Sequence, residues 1–379
     1  MMKVANICTT SLSHKILVDK LSVLESKGYE VHLISAKEGF NNNLFKHRNI
    51  NLRFVEMKRE IAPLSDLVSI IRLVRLLKKE RYDIVHTHTA KAGIIGRISG
   101  KLAGVPIVIH TSHGLPYYEG QSKVKYKVYE FFEKVASIFC DAIGSQNTED
   151  IEKIKRNAVN KEVFYEGNGV DLALLDNYKQ NITLDKIQKM KKELDIPPEK
   201  IVILVGARFE PVKNHKYLIS SLKELNKTND NFICLLAGQG DLEKEIRKQV
   251  VEAGLKDQVR FLGYQSYIYP FIKMADIIAL TSEKEGLPRI IMEAMAFKKP
   301  VIGSDVLGTR ELVNNDVNGY LVEYENVNEM AKKLDNLLED DLLRSKFGAN
   351  GREILEKQFT EQIVVDRIVD KYKQLSKKA

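Results

Sequence analysis

The sequence predicts an α/β protein built as two doubly wound domains in series, each a parallel sheet with helices on both faces. Three observations carry that prediction. The chain has 379 residues, about two domains of typical size. Short apolar stretches alternate with amphipathic ones of helical length, the pattern of a parallel sheet covered on both sides. The alternation stops in a turn-rich and then polar stretch after residue 165, and starts again near residue 200.

Taken in order, residues 4–8 form the first strand, and a helix follows across 14–27 that stops at Gly28. Further short strands are expected at 29–35, 51–55, 83–86, 106–111, 141–145 and 162–165, most of them separated by helix-like segments. Glu166-Gly167-Asn168-Gly169-Val170-Asp171 is turn chemistry, and 172–198 is polar with a lysine-rich helix and no strand. Strands resume at 201–205, 232–237, 259–262, 277–280 and 300–302; after Gly319 the chain reads as mostly helical. The expected division is a first domain over 1–170, a linker over 171–198, a second domain over 199–355, and a terminal helix over 356–379 packing back on the first domain. Ligands of such sheets sit at the carboxyl ends of the strands, so both domains should turn their loops into a shared cleft.

Composition removes several classes. At 44% hydrophobic and 29% charged residues, with only 22 Gly and 9 Pro, the chain is neither disordered nor collagenous. No apolar run approaches the roughly 18–20 residues of a spanning helix, and MMKVANICTT reads as a first strand rather than a signal peptide. Cys8, Cys140 and Cys234 are far apart and odd in number, which points to reduced, buried thiols in a cytoplasmic protein.

The net charge of +8 is uneven. Residues 1–165 hold 26 Lys and Arg against 17 Asp and Glu, and the remainder holds 33 against 34. A basic half suits an anionic partner, nucleic acid or a membrane face, although a plain lysine-rich surface reads the same way. No helix-turn-helix, zinc finger or aromatic RNA-binding strand accompanies the charge, so no nucleic-acid partner is expected. The basic residues lie on two amphipathic segments. Residues 67–81 (LVSIIRLVRLLKKER) are read as an ordinary helix packed on a sheet. In 123–136 (KVKYKVYEFFEKVA), Lys123, Lys125 and Lys127 alternate with Val124, Tyr126 and Val128 ahead of Phe131 and Phe132. Basic and aromatic residues beside an apolar stripe suit a lipid headgroup layer, so this segment is assigned to peripheral contact with an anionic membrane.

The second half carries the chemistry. Its first strand runs into Gly206-Ala207-Arg208-Phe209-Glu210-Pro211-Val212-Lys213-Asn214. The glycine permits close backbone approach, and Arg208 and Lys213 put two cations at a strand's carboxyl end, as a diphosphate requires. A surface loop with two salt bridges is the equally open alternative for this segment alone. Further on, Pro288 suits the first turn of a helix running through Ile290–Ala296, so Gly286 and Leu287 would offer amides at a helix N-terminus. Glu285 and Glu293 lie eight residues apart, a rise of about 12 Å if all were helical. Glycosidase carboxylates stand roughly 5–9.5 Å apart. The two glutamates are therefore read as acceptors gripping hydroxyls at separate points of a long ligand such as a nucleotide sugar.

Gly206-x-Arg208 with Lys213, the Glu285 and Glu293 pair, Glu293-Ala294-Met295-Ala296, Pro300-Val301-Ile302-Gly303 and the turn Asn168-Gly169-Val170-Asp171 together resemble glycosyltransferase family 4. The resemblance spans essentially the whole chain. It implies the GT-B architecture, two Rossmann-like doubly wound domains facing across a cleft. It also implies retention of the donor's anomeric configuration, with no metal and no cofactor, the UDP-sugar being a donor substrate. Carried over residue by residue, Arg208 and Lys213 would bind the diphosphate with the Gly286 and Leu287 amides. Glu285 would hold donor-sugar hydroxyls, and Glu293 the ribose. The family commonly has a His-Gly after a first-domain strand, and Thr111-Ser112-His113-Gly114-Leu115-Pro116 matches it. His113 thereby becomes a positioning or polarising group near the donor sugar, although a lone histidine is more often structural.

Other histidines and glycines are read more plainly. His86, His88 and His110 make no metal set, because no cysteine or carboxylate completes one. Gly238-Gln239-Gly240-Asp241 is half of a dinucleotide fingerprint without its third glycine, and Asp241 is read as a helix N-cap. The chain departs from the family in its first strand–helix loop, Thr9-Thr10-Ser11-Leu12-Ser13-His14-Lys15, which has no glycine where many members have two. Ser11, His14 and Lys15 are the acceptor-binding candidates there.

The stretches His88-Thr89-Ala90-Lys91-Ala92-Gly93, Ser112-His113-Gly114-Leu115-Pro116 and Glu119-Gly120 resemble bacterial capsule and exopolysaccharide transferases. That resemblance implies an acceptor sugar on undecaprenyl diphosphate, presented at the inner face of the cell membrane. It implies as donor a UDP-sugar, for instance an N-acetylated deoxyhexosamine such as N-acetylfucosamine. A UDP-sugar 2-epimerase of the same architecture is the alternative, and a non-catalytic membrane-binding module a more distant one; the epimerase's acid–base constellation is not seen.

Overall fold

The structure, a computed structural model, describes every residue except 47, 61, 119, 120, 159, 160 and 379, so Glu119-Gly120 lies outside the described residues. The first half folds as β1 (Lys3–Thr10), β2 (Glu30–Ala36), β3 (Asn51–Phe54), β4 (Ile84–His88), β5 (Ile107–Ser112), β6 (Ala142–Ser145) and β7 (Glu162–Tyr165). Between them run α1 (His14–Ser26), α2 (Pro63–Glu80), α3 (Ala90–Ala103), α4 (Lys123–Ser137) and α5 (Glu149–Asn157). The strands lie in the order β3-β2-β1-β4-β5-β6-β7, and each neighbouring pair is parallel.

Side-chain alternation along β1 divides the core in two. Val4 and Cys8 face α1, joined by Leu17, Leu21 and Leu24. Ala5 and Ile7 face the other way, among Leu73 and Leu77 of α2 and Ala92 and Ile95 of α3. Both faces are buried, which is why the strand reads as a mostly apolar stretch.

The second unit spans Val170–Thr360. It opens with α6 (Leu172–Asn181) and α7 (Leu184–Glu193), capped by the side chains of Asp171 and Thr183. Its strands are β8 (Ile201–Gly206), β9 (Phe232–Ala237), β10 (Val259–Gly263), β11 (Ile277–Leu280), β12 (Val301–Ser304) and β13 (Gly319–Val322). The accompanying helices are α8 (His215–Leu225), α9 (Glu243–Glu252), α10 (Tyr269–Met274), α11 (Arg289–Ala296), α12 (Val327–Glu339) and α13 (Asp341–Gln358). The sheet order is β10-β9-β8-β11-β12-β13, the winding of the first sheet repeated. The polar stretch 171–198 is one-faced: Leu175, Ile182, Ile187 and Ile196 enter the same core as Val202 and Leu204 of β8.

Strand β13 is not foreseen in the sequence. It is four residues long and begins on Gly319, directly after turn residues. A Cβ there would lie 2.1 Å from the Val301 carbonyl oxygen, so only glycine lets this edge strand approach β12. The chain then returns to the first unit, where α14 (Glu361–Ser376) covers the face carrying α1. The boundary falls after Thr360, because Leu355 and Phe359 still belong to the second unit's core.

Cys8, Cys140 and Cys234 are free and buried. Among the described residues no helix is long and apolar enough to cross a membrane.

The first unit also encloses an ion pair. Lys20 of α1 donates to Glu166, just past β7, at 2.6 Å, with side chains 3% and 0% exposed. Burial alone would raise the Glu166 pKa, but Lys20, His86 and the hydrogen bonds from Lys20 and Thr111 hold it below its ordinary value. Lys20→Met should therefore lower the unfolding free energy by about 3–5 kcal/mol, by stranding a buried carboxylate; urea denaturation reads it. A carboxylate with a depressed folded pKa contributes stability above its unfolded pKa and loses it as pH falls through the folded one. The wild-type advantage over Lys20→Met should thus shrink on acidification below the ordinary glutamate range.

Candidate active site

In both sheets the winding reverses beside the first strand, between β1 and β4 and between β8 and β11. Loops leaving the carboxyl ends of such a pair diverge and open a crevice. In the second unit the loop after β8 carries Arg208 and Lys213, and the loop after β11 carries Glu285 and Gly286.

The first of these loops is propped from β9. A Cβ on Gly238 would lie 1.9 Å from the Ala207 carbonyl oxygen, and one on Gly240 would lie 2.4 Å from that of Phe209. The close approach permits backbone hydrogen bonds from Ala207 to Ala237 at 3.1 Å and from Phe209 to Gln239 at 3.0 Å. The half-fingerprint glycines therefore support the cation loop. Asp241 is not a helix cap: α9 begins after Leu242, with no side-chain capping bond.

The loops after β8 and β11 are stitched to one another. Thr281 Oγ1 donates to the Lys213 and Asn214 carbonyls, each at 3.3 Å, and the Glu283 amide donates to the Val212 carbonyl at 2.8 Å. Asn214 adopts a left-handed φ of 41°, which asparagine tolerates, and caps α8 through its side chain. Lys213 Nζ then donates to Glu285 Oε1 at 2.6 Å, and Ser282 Oγ donates to the same oxygen at 2.5 Å. The Lys213 and Glu285 side chains are 17% and 9% exposed. Arg208 is 70% exposed and pairs with Glu210 at 2.6 Å. Both cations thus sit in ion pairs, as the plainer reading of this loop has it, but in different settings. The exposed pair is worth little, so Arg208 can trade Glu210 for another anion at small cost; Lys213 is fixed.

Helix α11 begins at Arg289, with Pro288 at the capping position. Only the steps from Arg289 to Glu293 are helical, so the helical rise of about 12 Å does not describe the path from Glu285 to Glu293. Glu293 is buried and accepts from Arg289 Nε at 3.1 Å. Leu287 is buried in the core and anchors the loop, so it has only its backbone to offer a ligand. Gly206 closes β8, where a Cβ would stand 3.0 Å from side-chain carbons of Ile268 and Ile290.

In the first unit, His113 follows β5 and its Nε2 lies 3.2 Å from His88 Nδ1, while His88 Nε2 lies 3.2 Å from Asn6 Oδ1. A second chain runs beside it. Tyr372 of α14 lies 2.7 Å from His86 Nδ1, His86 Nε2 lies 2.6 Å from Thr111 Oγ1, and Thr111 donates to Glu166. The Glu166 carboxylate fixes the direction of this chain. Thr111 gives its proton to Glu166 and accepts from His86 Nε2–H, and His86 Nδ1 accepts from Tyr372. The His86 and His88 rings lie 4.4 Å apart. Burial first lowers the pKa of His86 to about 4 and that of His113 to about 3; the Lys20 cation adds to both shifts, the Glu166 carboxylate opposes them, and His86 adds to that of His113. His88 and His110 are pushed well below the ordinary value by burial first, then by nearby histidines and cations. All four are neutral near pH 7.

The acceptor candidates divide. Ser11 is buried and donates to the Ala36 carbonyl at 2.8 Å. His14 is buried against Phe45 with Nε2 on Ser35 at 2.9 Å; burial lowers its pKa to about 4. Lys15 alone of the three is exposed. Across the β1–β4 switch point, Thr9 and Thr89 hydroxyls meet at 2.8 Å. Thr89 holds a φ of 67°, strained for a β-branched residue. Sequence reasoning passed over Asn6, and it considered His88 only as a metal ligand and as part of a family-like stretch. The available signal was period two, which puts His86 and His88 on one face of β4 at its carboxyl end. Among the described residues no three His, Cys, Asp or Glu side chains form a metal-binding group.

Two family models divide the chain between them: "Glycosyl transferase 4-like" matches residues 5–147 and "Glycosyl transferases group 1" matches residues 186–354. The chain belongs to these glycosyltransferases. The transferase is 29% identical to the UDP-Gal:alpha-D-GlcNAc-diphosphoundecaprenol alpha-1,3-galactosyltransferase of Escherichia coli, over 94% of this chain and 92% of that one. It is 28% identical to the capsular polysaccharide biosynthesis glycosyltransferase CapM of Staphylococcus aureus, over 98% and 96%. Its fold is GT-B: HepE of Anabaena, solved in complex with UDP and glucose, superposes with a TM-score of 0.83 at 21% identity, covering 99% of this chain and 100% of that one.

Gly238→Ala tests the propping of the cation loop. The transferase should lose about 1–3 kcal/mol of stability as Ala207 is forced away. An unchanged denaturation midpoint would mean that the loop gives way freely.

Proposed function

We propose that the transferase moves a sugar from a UDP-sugar to a sugar carried on a polyprenyl diphosphate, with retention of configuration and without a metal. The observation that carries this reading is the convergence of Lys213, Ser282 and Glu285 at the β8–β11 switch point. The named substrate of the E. coli relative, the capsular role named for CapM, and the UDP and glucose held by HepE support it. The donor sugar we infer from the resemblance is an N-acetylated deoxyhexosamine such as N-acetylfucosamine.

In this mechanism Arg208 and Lys213 meet the donor diphosphate, with the Gly286 and Leu287 amides ahead of α11. Glu285 spends Oε1 on Lys213 and Ser282, and Oε2 accepts from a donor-sugar hydroxyl. Glu293 takes the ribose. The acceptor oxygen bonds to the anomeric carbon on the face that the diphosphate leaves, and its proton passes to the departing phosphate oxygen. Negative charge grows on that oxygen; Lys213, fixed beforehand, meets it without reorganising, and Arg208 joins by leaving Glu210. His113, neutral, orients the sugar.

Peripheral attachment to the inner face of an anionic membrane fits the first unit's helical surface. Val124, Phe131 and Ile138 are exposed on or beside α4. Leu64, Leu67 and Ile71 are exposed on α2, which was expected only to pack on the sheet. Both helices cover the same sheet face. Lys123 and Lys125 are exposed beside them, and Lys127, 75% exposed, pairs with Glu130. Apolar residues would enter the lipid while the lysines hold headgroups.

UDP release from a panel of UDP-sugars, with and without a synthetic polyprenyl-diphosphate sugar, tests the reaction. Release from one donor should depend on the acceptor; conversion of the sugar without acceptor would make the protein an epimerase instead. Arg208→Ala and Lys213→Ala should each lower kcat by on the order of 10²–10³, and near-normal turnover in both would end the charge-stabilisation argument. Reversing Lys123, Lys125 and Lys127 to Glu should abolish co-sedimentation with phosphatidylglycerol vesicles. Unaltered binding would remove these lysines from the membrane contact.

A further inference from the structure

We infer that Asn6 and His88 act as positioning residues that lock the proton of His113 on Nε2, so that His113 offers its Nδ1 lone pair to a hydroxyl of the donor sugar. The inference rests on the reading of His113 as a neighbour of that sugar. A neutral imidazole has one donor and one acceptor nitrogen, and what the first contacts decides the second. Asn6 Oδ1 can only accept, and it faces His88 Nε2 at 3.2 Å. His88 therefore carries its proton on Nε2 and presents a bare Nδ1 to His113 Nε2, also at 3.2 Å. His113 Nε2 must supply the proton of that bond. Its Nδ1 is left as an acceptor.

The surroundings keep this arrangement neutral and oriented. The His86 ring lies tilted against that of His88, and its own proton is pinned to Nε2 by Thr111 and the Glu166 carboxylate. Asn6 and His88 are both fully buried, so no solvent competes for their bonds. A histidine fixed in this way favours a sugar hydroxyl that donates. A donor that is deoxygenated or O-methylated at the contacted position loses the bond.

The full-length protein labelled with ¹⁵N-histidine gives the direct reading. Long-range ¹⁵N–¹H correlation at neutral pH should show His113, assigned by its absence in His113→Gln, with Nε2 protonated and Nδ1 bare. A His113 protonated on Nδ1, which a half-turn of the Asn6 amide would produce, overturns the inference. This arm needs no substrate, so it is decided separately from the transferase reading. In the kinetic arm, Asn6→Leu should lower kcat/KM roughly tenfold for the full donor, a loss of one hydrogen bond. The same variant should leave the deoxy donor analogue almost unaffected. An equal loss with both donors would reduce Asn6 and His88 to structural roles.

Discussion

The reversal of winding beside the first strand of each sheet is the constraint on which the rest depends. A parallel strand must be reached by a right-handed crossover, so helices placed before and after the reversal fall on opposite faces. The loops at that point have no helix between them, and side chains from distant segments meet there over the strand ends. In the second unit the meeting is Lys213 with Glu285; in the first it is Thr9 with Thr89, beside the histidines of β4 and β5.

The two switch points hold their polar groups in different ways. In the second unit charge is opposed by charge near the surface, and one of the two pairs is open to solvent. In the first unit the buried ion pair of Lys20 with Glu166 lies at the base of a chain of hydroxyls and neutral imidazoles. The first arrangement suits an anionic ligand that replaces a counter-ion. The second suits an uncharged one, because each ring arrives with its proton already assigned.

Much of this was legible in the sequence because most of the strands are buried on both faces and read as short, largely apolar stretches. The cation loop was legible for a related reason: Gly206 ends such a stretch, and Arg208 and Lys213 follow at once. What escaped has physical causes. Four-residue β13 starts on a glycine chosen for backbone approach, which looks like a turn. On α2 the apolar residues wrap most of the helix, so periodicity could not tell that Leu73 and Leu77 face the sheet while Leu64 and Leu67 do not. The pairing of Lys213 with Glu285, and of His88 with Asn6, joins segments far apart in the chain. No local pattern encodes such a meeting. Asp241 was misjudged because Gly238 and Gly240 serve the neighbouring loop rather than a helix start.

Helix α14 has an implication for biosynthesis. It covers one face of the first sheet and gives Tyr372 to the His86 chain, yet it leaves the ribosome only after the whole of the second unit. The second unit, drawn from a continuous stretch, can be complete before the first one is. Nascent chains generally mature from the N-terminal domain onward; here that order is inverted. The leading half must wait, one apolar flank uncovered, for the trailing residues. A ribosome that stalls near residue 360 would therefore strand a finished second unit behind an unfinished first, and chaperones would be called on by the N-terminal half of the chain.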